Sequence, residues 1–421
     1  MVAILEGTTV LDFTRVLSGP TTTRYLAELG ADVIKVEAPP TGDITRSSPT
    51  RRDGRSGYFV NVNRGKRSVC IDLKDKRGLA LVRRFAATVD VVVENFSPGT
   101  MDRLGLGWDQ LSTDNPGLVM LSISGFGHHG PLAHLPGYDG AAQAYAGITS
   151  LNGEAGGDPV VLGAPVGDVL TGVNGAAGVL AALLWRANTG EGQHIETSVL
   201  GAYLQTHDTA IQTYSLTNGE LVQRRSGRFH ELACPYGIFT AGDGHIFIAA
   251  ADNKHWQDLC RAIGDDELLA ADHPWQERPT REAERNDVNA YLEAWLSEKG
   301  PRDAALALLQ DHRVPCGPVL GVDEVAEHVD LHASGAMRFA SDPLLGRMHV
   351  PGFPLQFSAT DAGFDAEAPY LGEHNTDVLA DVAGGPEALA GLIADGVVLA
   401  EDPPGRPTRQ RTSARIATKG G

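Results

Sequence analysis

Residues 8–37, TTVLDFTRVLSGPTTTRYLAELGADVIKVE, contain the pattern that decides the fold. Thr8–Phe13 is an apolar run of strand length, and Pro20–Leu29 has the length and composition of a helix that Gly30 ends. Asp32–Glu37 has the pattern of a second strand. Because a helix joins the two strands, we expect them to lie parallel in one sheet that helices cover on both faces.

The same alternation continues to about residue 124, which predicts the α/β fold class with a Rossmann-like large domain. The further elements expected are a strand at Arg67–Leu73, a helix at Lys76–Thr88, a strand at Val89–Glu94, a helix at Trp108–Asn115 and a strand at Leu118–Ser124.

A nicotinamide nucleotide is one ligand that such a sheet binds, and Glu37 sits where an acid that binds ribose is expected. The turn Thr14–Pro20 after the first strand, however, lacks the Gly-x-Gly-x-x-Gly pattern of those sites. Pro20 also removes one backbone donor at the helix start. The sequence therefore argues against a nicotinamide-dependent dehydrogenase.

A change of pattern near residue 225 predicts a second, smaller domain. Tyr236–Phe239 and His245–Ala249 flank a turn signal at Thr240–Gly244, which indicates a hairpin. Helices are expected after it at Lys254–Ile263, Arg281–Lys299 and Arg302–Asp311. The predicted organisation is a large domain at 1–224, a small α+β domain at 225–325, a return to the large domain at 326–400 and a disordered tail at 401–421.

Charge and composition exclude several classes of partner. The 421 residues carry a formal net charge of -18, which disfavours nucleic acid and anionic membrane surfaces. No run of about 18 apolar residues predicts a membrane span, and the start lacks the regions of a secretory signal. The four scattered cysteines argue against zinc and disulfides and favour the cytoplasm, and the adjacent His128 and His129 are read as a surface turn and not as metal ligands.

Asp168 stands between the strand-like run Val160–Leu162 and a long apolar helix expected at about Leu170–Arg186. A carboxylate at the positive end of a helix, among backbone donors, is held ionised and suits a nucleophile. An ordinary N-cap is the commoner role of Asp before a helix. This stretch alone leaves both roles open.

Eight short motifs occur in a fixed order between residue 5 and about residue 400. They are Leu5–Phe13, Leu29–Glu37, Asn63–Ser68, Glu94–Gly99, Gly137–Asp139, Gly167–Asp168, Pro315–Val319 and Leu371–Asn375. As an ordered set they resemble the family III CoA-transferases, the group that contains formyl-CoA transferase and the carnitine CoA-transferase.

The resemblance implies a Rossmann-like large domain, a small domain and a homodimer of two interlocked ring-shaped chains. It implies that Asp168 attacks an acyl-CoA thioester and carries CoA as an aspartyl-CoA thioester before a carboxylic acid accepts it. Coenzyme A is then a substrate, and no permanently bound cofactor or metal is expected.

The resemblance also places CoA contacts at residues that follow three strands, with Tyr138 near the thioester. The expected contacts are Arg15, Leu17 and Ser18, then Ile71, Asp72, Leu73 and Lys74 along the adenine, then Asn95, Phe96 and Arg103, and Tyr138. Arginine and lysine are suited to the phosphates of CoA. Two positions where relatives often have a basic residue are Ala38 and Pro136 here.

Two other functions fit the same fold. An α-methylacyl-CoA racemase needs a His-Asp pair, and Tyr138 stands where its histidine is expected; a phenol is a poor base at neutral pH. A catalytically silent CoA-binding protein has no need of an acid at position 168. For the acceptor, the segment Gln223–His230 replaces the glycine-rich loop of oxalate-handling relatives, and one of Arg224, Arg225 and Arg228 is a candidate partner for a second carboxylate.

Overall fold

A computed structural model describes residues 3–363 and 366–400, and these residues divide into two compact units. The first unit comprises the described residues up to His134, Asp168–Ser198 and those from Gly335 onward. The second comprises Leu135–Gly167 and Val199–Ser334. These bounds are not the domain boundaries expected from the sequence, which stay a prediction, and the expected tail at 401–421 lies outside the described residues.

The strands are numbered in chain order. They are β1 Thr9–Asp12, β2 Asp32–Glu37, β3 Arg51–Arg52, β4 Arg55–Ser56, β5 Arg67–Cys70, β6 Val91–Glu94, β7 Val119–Ser124, β8 Gln193–Ser198, β9 Tyr236–Ala241, β10 Gly244–Ala249, β11 Cys316–Pro318, β12 Met337–Asp342 and β13 Gly346–Pro351.

The helices are numbered in the same way, with short 3₁₀ turns at Ile44–Ser47 and Pro274–Gln276. They are α1 Ser18–Glu28, α2 Gly57–Asn63, α3 Lys76–Ala86, α4 Thr100–Arg103, α5 Trp108–Asp114, α6 Asp139–Tyr145, α7 Ile148–Leu151, α8 Val166–Thr189, α9 Val199–Leu204, α10 Ala210–Leu216, α11 Asn253–Ile263, α12 Asp266–Leu269, α13 Arg278–Ala283, α14 Arg285–Ser297, α15 Arg302–Asp311, α16 Val322–Glu327, α17 Val329–Ala333, α18 Asn375–Ala383 and α19 Pro386–Ala394.

A six-stranded sheet of order β5-β2-β1-β6-β7-β8 forms the first unit, and every neighbouring pair is parallel. Counted along the chain within the sheet, this order is 3-2-1-4-5-6, which is that of a doubly wound nucleotide-binding fold. Side chains on alternate faces, such as Val10 and Leu11, enter two separate apolar clusters. The expected α/β fold with a parallel sheet covered on both faces is confirmed.

A three-stranded antiparallel sheet, β11-β10-β9, belongs to the second unit. The predicted hairpin is confirmed, with Ala241 paired to Gly244 at its tight turn. The helix expected at Arg281–Lys299 is wrong as one element, because the chain breaks at Glu284 into α13 and α14. Arg281 is fully buried in α13 and donates to the carbonyl oxygens of Trp275 and Ala251. These hydrogen bonds connect the chain just before the break to the 3₁₀ turn at Pro274–Gln276 and to the segment after β10.

The run Val160–Leu162 is not a strand, which corrects the expectation from its apolar composition. Val160 and Val161 are exposed, and the run bonds to Asn152 and Gln143 and not to a neighbouring strand. The helix after it, α8, is longer than expected. Among the helices of the described residues, α8 is the one that is long and apolar enough to span a membrane by length and composition. Of its most apolar 18-residue stretch, 39% is buried.

Candidate active site

The crevice of the sheet lies where the strand order reverses, between β1 and β6. In doubly wound folds, ligands bind there, outside the carboxyl ends of the strands. The loops that follow β1 and β6 are joined by one side chain. Asn95 donates from Nδ2 to the carbonyl oxygen of Arg15 at 2.8 Å and accepts the Arg15 N–H at 2.9 Å. The exposed guanidinium of Arg15 lies 5.4 Å from the Phe96 ring centre, so three of the expected contacts come together.

Buried charges hold the loop after β1 from beneath. Lys35, from β2, donates to the carbonyl oxygen of Thr14 at 2.5 Å and pairs with Asp43 at 3.0 Å. Lys66 pairs with Asp12, the last residue of β1, at 3.0 Å. Burial raises the pKa of Asp12, but the charges of the two lysines and the hydrogen bonds from Thr14 and Thr23 together hold that pKa below its usual value. The loop is therefore fixed by ion pairs in the interior, where screening by salt is weak.

Val16 takes the left-handed conformation in this loop, with φ of +69°, and its N–H points to Asp43 at 3.4 Å. Leu17 and Ser18 are buried at the start of α1. Two of the motifs contain Lys35 and Lys66, but the sequence assigned no role to them or to Asp43, because nothing in a local pattern shows that charges from four segments meet.

Asp168 is the third residue of α8, which begins at Val166. It is half-buried and lies inside the first helical turn, so it is not the N-cap. A carboxylate in the first turn of a helix lies at the positive end of the helix dipole. Burial raises the pKa of Tyr58 to about 12, and the charges of Asp168 and Asp43 act in the same direction. Asp168 therefore lies near the phenol of Tyr58, which the sequence also did not single out.

Close packing sets the position of α8 against α1. Thr22 donates from Oγ1 to the carbonyl oxygen of Gly172 at 3.0 Å. A Cβ at Gly172 would stand 2.6 Å from Thr21 Cβ and 2.8 Å from the Ser18 carbonyl oxygen, so only glycine fits. One helical turn separates Gly172 from Asp168, and the contact brings the start of α8 to the start of α1.

Gly163 and Gly167, which precede Asp168, have different surroundings. Gly163 faces open space, in keeping with access for a bulky group. A Cβ at Gly167 would collide with the ring of Tyr203, so this glycine is required by packing within the second unit. The Tyr203 hydroxyl donates to Asp139 at 2.7 Å and accepts from Gln143 at 3.2 Å.

The other expected CoA contacts lie in separate places. Ile71 is fully buried and forms a bridge with Val398, while Lys74 is exposed in the loop after β5. The intervening Asp72 and Leu73 are partly buried, and Asp72 accepts the Lys74 N–H at 2.9 Å. Arg103 is exposed on α4 and donates to Thr100 Oγ1 at 2.8 Å.

Tyr138 belongs to the second unit, directly before α6, and is 76% exposed. The arginines of Gln223–His230 differ in their partners. Arg225 donates to the carbonyl oxygens of Gly157 and Ser150, and Arg228 pairs with Glu293 at 2.9 Å. Within the described residues, the exposed guanidinium of Arg224 has no hydrogen-bond or ion-pair partner.

No group of three or more His, Cys, Asp or Glu side chains suited to a metal ion occurs in residues 3–363 and 366–400. The four cysteines are free thiols, and burial raises the pKa of Cys70 to about 12 and that of Cys234 to about 11. Thiols with raised pKa values are poor nucleophiles at neutral pH. The cysteines are therefore disfavoured as nucleophiles, and Asp168 stays the candidate that the sequence indicated.

Comparison with known proteins gives one family. The family model described as CoA-transferase family III matches residues 5–375. Succinyl-CoA:glutarate CoA-transferase of Mus musculus is 33% identical over 396 residues, which cover 94% of this chain and 90% of the mouse protein. Formyl-CoA:oxalate CoA-transferase of Streptomyces avermitilis is 35% identical over 416 residues, covering 94% of this chain and 100% of that protein.

One solved structure is similar over nearly the whole chain. The crystal structure of a CAIB/BAIF family protein from Brucella suis superposes with a TM-score of 0.80 at 34% identity, covering 91% of this chain and 100% of that chain.

Proposed function

The chain belongs to CoA-transferase family III, and from that premise we propose that it moves CoA from an acyl-CoA thioester to a carboxylic acid through a covalent aspartyl-CoA intermediate on Asp168. The observation that carries the proposal is the half-buried carboxylate in the first turn of α8, packed beside the start of α1. It is an enzyme that uses CoA thioesters as substrates.

The proposed steps balance without a cofactor. The Asp168 carboxylate attacks the thioester carbonyl, which forms a mixed anhydride and releases the CoA thiolate. The thiolate then attacks the aspartyl carbonyl, releasing the donor acid and leaving aspartyl-CoA. The acceptor carboxylate attacks this thioester, and the thiolate freed in that step attacks the acceptor acyl carbon, which restores Asp168. Because one thioester is exchanged for another, the protein supplies positioning and exclusion of water.

The CoA contacts are proposed at the residues expected from the sequence. Arg15, Leu17, Ser18, Asn95 and Phe96 form the part that lies at the crevice. Asp72, Leu73, Lys74 and Arg103 lie along the same carboxyl edge, where we place the phosphates and adenine, and the fully buried Ile71 directly precedes them. Tyr138 is proposed to contact the thioester region.

The covalent step is tested by mass spectrometry after incubation with an acyl-CoA and hydroxylamine. A transferase leaves a modified Asp168, and Asp168→Asn leaves none and loses turnover by at least about a thousandfold. Asp272→Asn, which alters an exposed carboxylate of the second unit, is the control. Entry of solvent deuterium at the α carbon without an adduct would identify a racemase, and neither signal would identify a silent binder.

A dicarboxylic acid is the proposed acceptor, since glutarate and oxalate in the names of the two relatives are both dicarboxylates. The absence of the glycine-rich loop disfavours oxalate itself. Arg224 is the proposed partner of the second carboxylate, because its exposed guanidinium is uncommitted within the described residues. Arg224→Gln is expected to raise KM for a dicarboxylate about tenfold and to leave KM for a monocarboxylate unchanged. Arg228→Gln is the control, and equal effects of both variants would refute the assignment.

The proposed assembly is an interlocked homodimer in the cytoplasm. Its support in this chain is apolar surface left uncovered on both units: Leu184 and Trp185 on α8 are 66% and 51% exposed. On α10, Tyr214 and Leu216 are 55% and 83% exposed. Large apolar side chains exposed in this way are available for contact with a second chain.

A further inference from the structure

A buried acid lies directly beneath the proposed coenzyme loop. Glu94 is the last residue of β6 and is 4% exposed. Its Oε2 accepts the N–H of Phe96 at 2.7 Å, across the turn that contains Asn95. Asn95 in turn exchanges two hydrogen bonds with the backbone of Arg15. The Glu94 carboxyl group thus fixes the turn that contains Asn95 and Phe96, two proposed CoA contacts. Through Asn95, the same turn is bonded to a third, Arg15.

Glu94 is the end of a polar row that crosses the sheet. Glu94, Ser122 and Glu196 are neighbours in register on β6, β7 and β8, so their side chains lie on the same face. The Ser122 hydroxyl interacts with the Glu94 carboxyl and lies 2.9 Å from His194 Nε2. His194 stacks on Trp108 with ring centres 5.8 Å apart. The row therefore connects the turn to the edge strand.

Charge around this row makes Glu94 sensitive to pH. A cavity of about 240 Å³ adjoins it. The titratable groups that line the cavity with it are Asp102, Asp109, His128, His129, His194 and Glu196. Burial raises the pKa of Glu94 to about 7, and the charges of Asp102 and Glu196 add to the effect. Burial lowers the pKa of His128 and of His194, so both rings are neutral at neutral pH. His129 pairs with Glu196 at 2.9 Å.

We infer that Glu94 is a positioning residue that couples the affinity for CoA thioesters to its own protonation state. The inference rests on the proposed function, since it assigns the turn at Asn95 and Phe96 to CoA. The ionised carboxylate is the stronger acceptor for the Phe96 N–H and holds the turn. When the carboxyl group takes a proton from solvent, this hydrogen bond weakens and the turn loosens.

Calorimetric titration with CoA between pH 6 and pH 8 tests the inference. We expect the affinity of the unmodified protein for CoA to rise between pH 6 and pH 8. This rise should be about tenfold larger than the rise measured with Glu94→Gln. Glu94→Gln keeps an acceptor for Phe96 but cannot ionise. Asp109→Asn, which alters another acid of the same cavity, is the matched control and should keep the pH profile of the unmodified protein. In turnover, KM for acyl-CoA should follow the same curve while kcat does not.

Parallel profiles for the unmodified protein and Glu94→Gln would overturn the inference, whereas no CoA binding at any pH would overturn the proposed function. Amide exchange of Phe96 gives a readout without ligand. The protection of the Phe96 amide against exchange in the unmodified protein, divided by that in Glu94→Gln, should rise between pH 6 and pH 8. A ratio that does not change with pH would overturn the inference. If Glu94→Gln does not fold, Ser122→Ala replaces it in the test. The hydrogen bond from Ser122 lowers the pKa of Glu94, so its loss should move the inflection of the affinity–pH curve to higher pH. An inflection at the same pH would overturn the inference.

Discussion

Asn95 is the residue whose side chain ties the two loops of the crevice together. Its amide makes one bond to each backbone group of Arg15, so alanine at this position removes both at once. Only a side chain with a donor and an acceptor at its end makes this pair, and it belongs to a short motif that the sequence already singled out. The structure adds the physical reason for an asparagine there.

Asn95→Ala is expected to raise KM for acyl-CoA about tenfold with little change in kcat, because it loosens binding of the coenzyme and leaves the reacting carboxylate in place. Steady-state kinetics with varied acyl-CoA measures the split. Asn188→Ala, at the exposed end of α8, is the control. An effect confined to kcat would contradict this role.

At the scale of elements, the contact between α1 and α8 determines where the acid of α8 lies. Gly172 has no space for a side chain beside Thr21 and Ser18. Gly172→Val is expected to lower the free energy of unfolding by about 1–3 kcal/mol through overpacking, and to lower kcat because the first turn of α8 shifts.

Chemical denaturation and single-substrate kinetics measure the two effects together. Gly391→Val makes the same change at an exposed glycine of α19 whose Cβ position is open space, so it carries the same change in helix propensity without the collision. Equal losses for the two variants would show that helix propensity, and not the α1–α8 contact, explains the result.

Local patterns predicted the sheet strands and the helices α1 and α3 of the first hundred residues closely, but not β3, β4 or α2. Asp32–Glu37 has the expected bounds, and the strand expected at Arg67–Leu73 ends early at Cys70, where the chain passes to a bridge with Val398. The failures have tertiary causes. Val160–Leu162 lacks a strand partner, and α13 and α14 are separated where the buried Arg281 binds distant carbonyl groups.

The candidate site was predictable only in part, for the same reason. Motifs indicated Asp168 and the loop residues, because their spacing is local. The network of Asp12, Lys35, Asp43 and Lys66 and the row that begins at Glu94 depend on which strands are neighbours. Strand order is not visible in the local pattern, so these residues came from the structure.

At the scale of the whole molecule, uncovered apolar surface on α8 bears on the proposed dimer. We expect light scattering to give twice the chain mass of 44.6 kDa. Interlocked chains cannot separate without unfolding, so tagged and untagged protein should form no hybrids until denaturant is added. Trp185→Glu should impair assembly, while Asn188→Glu on the same helix should not. A monomer, or rapid subunit exchange, would argue against interlocking.

The first unit is assembled from three separate stretches of chain, and this has a consequence for synthesis. When the ribosome has made His134, five strands of the parallel sheet exist, but β8 and the helix that bears Asp168 do not. The first unit is complete only after the residues from Gly335 onward have been made, because α18 and α19 add Val378, Leu379 and Leu389 to its apolar interior. A nascent chain therefore leaves part of this apolar interior uncovered until α18 and α19 have been made, and surface exposed in this way is prone to aggregation.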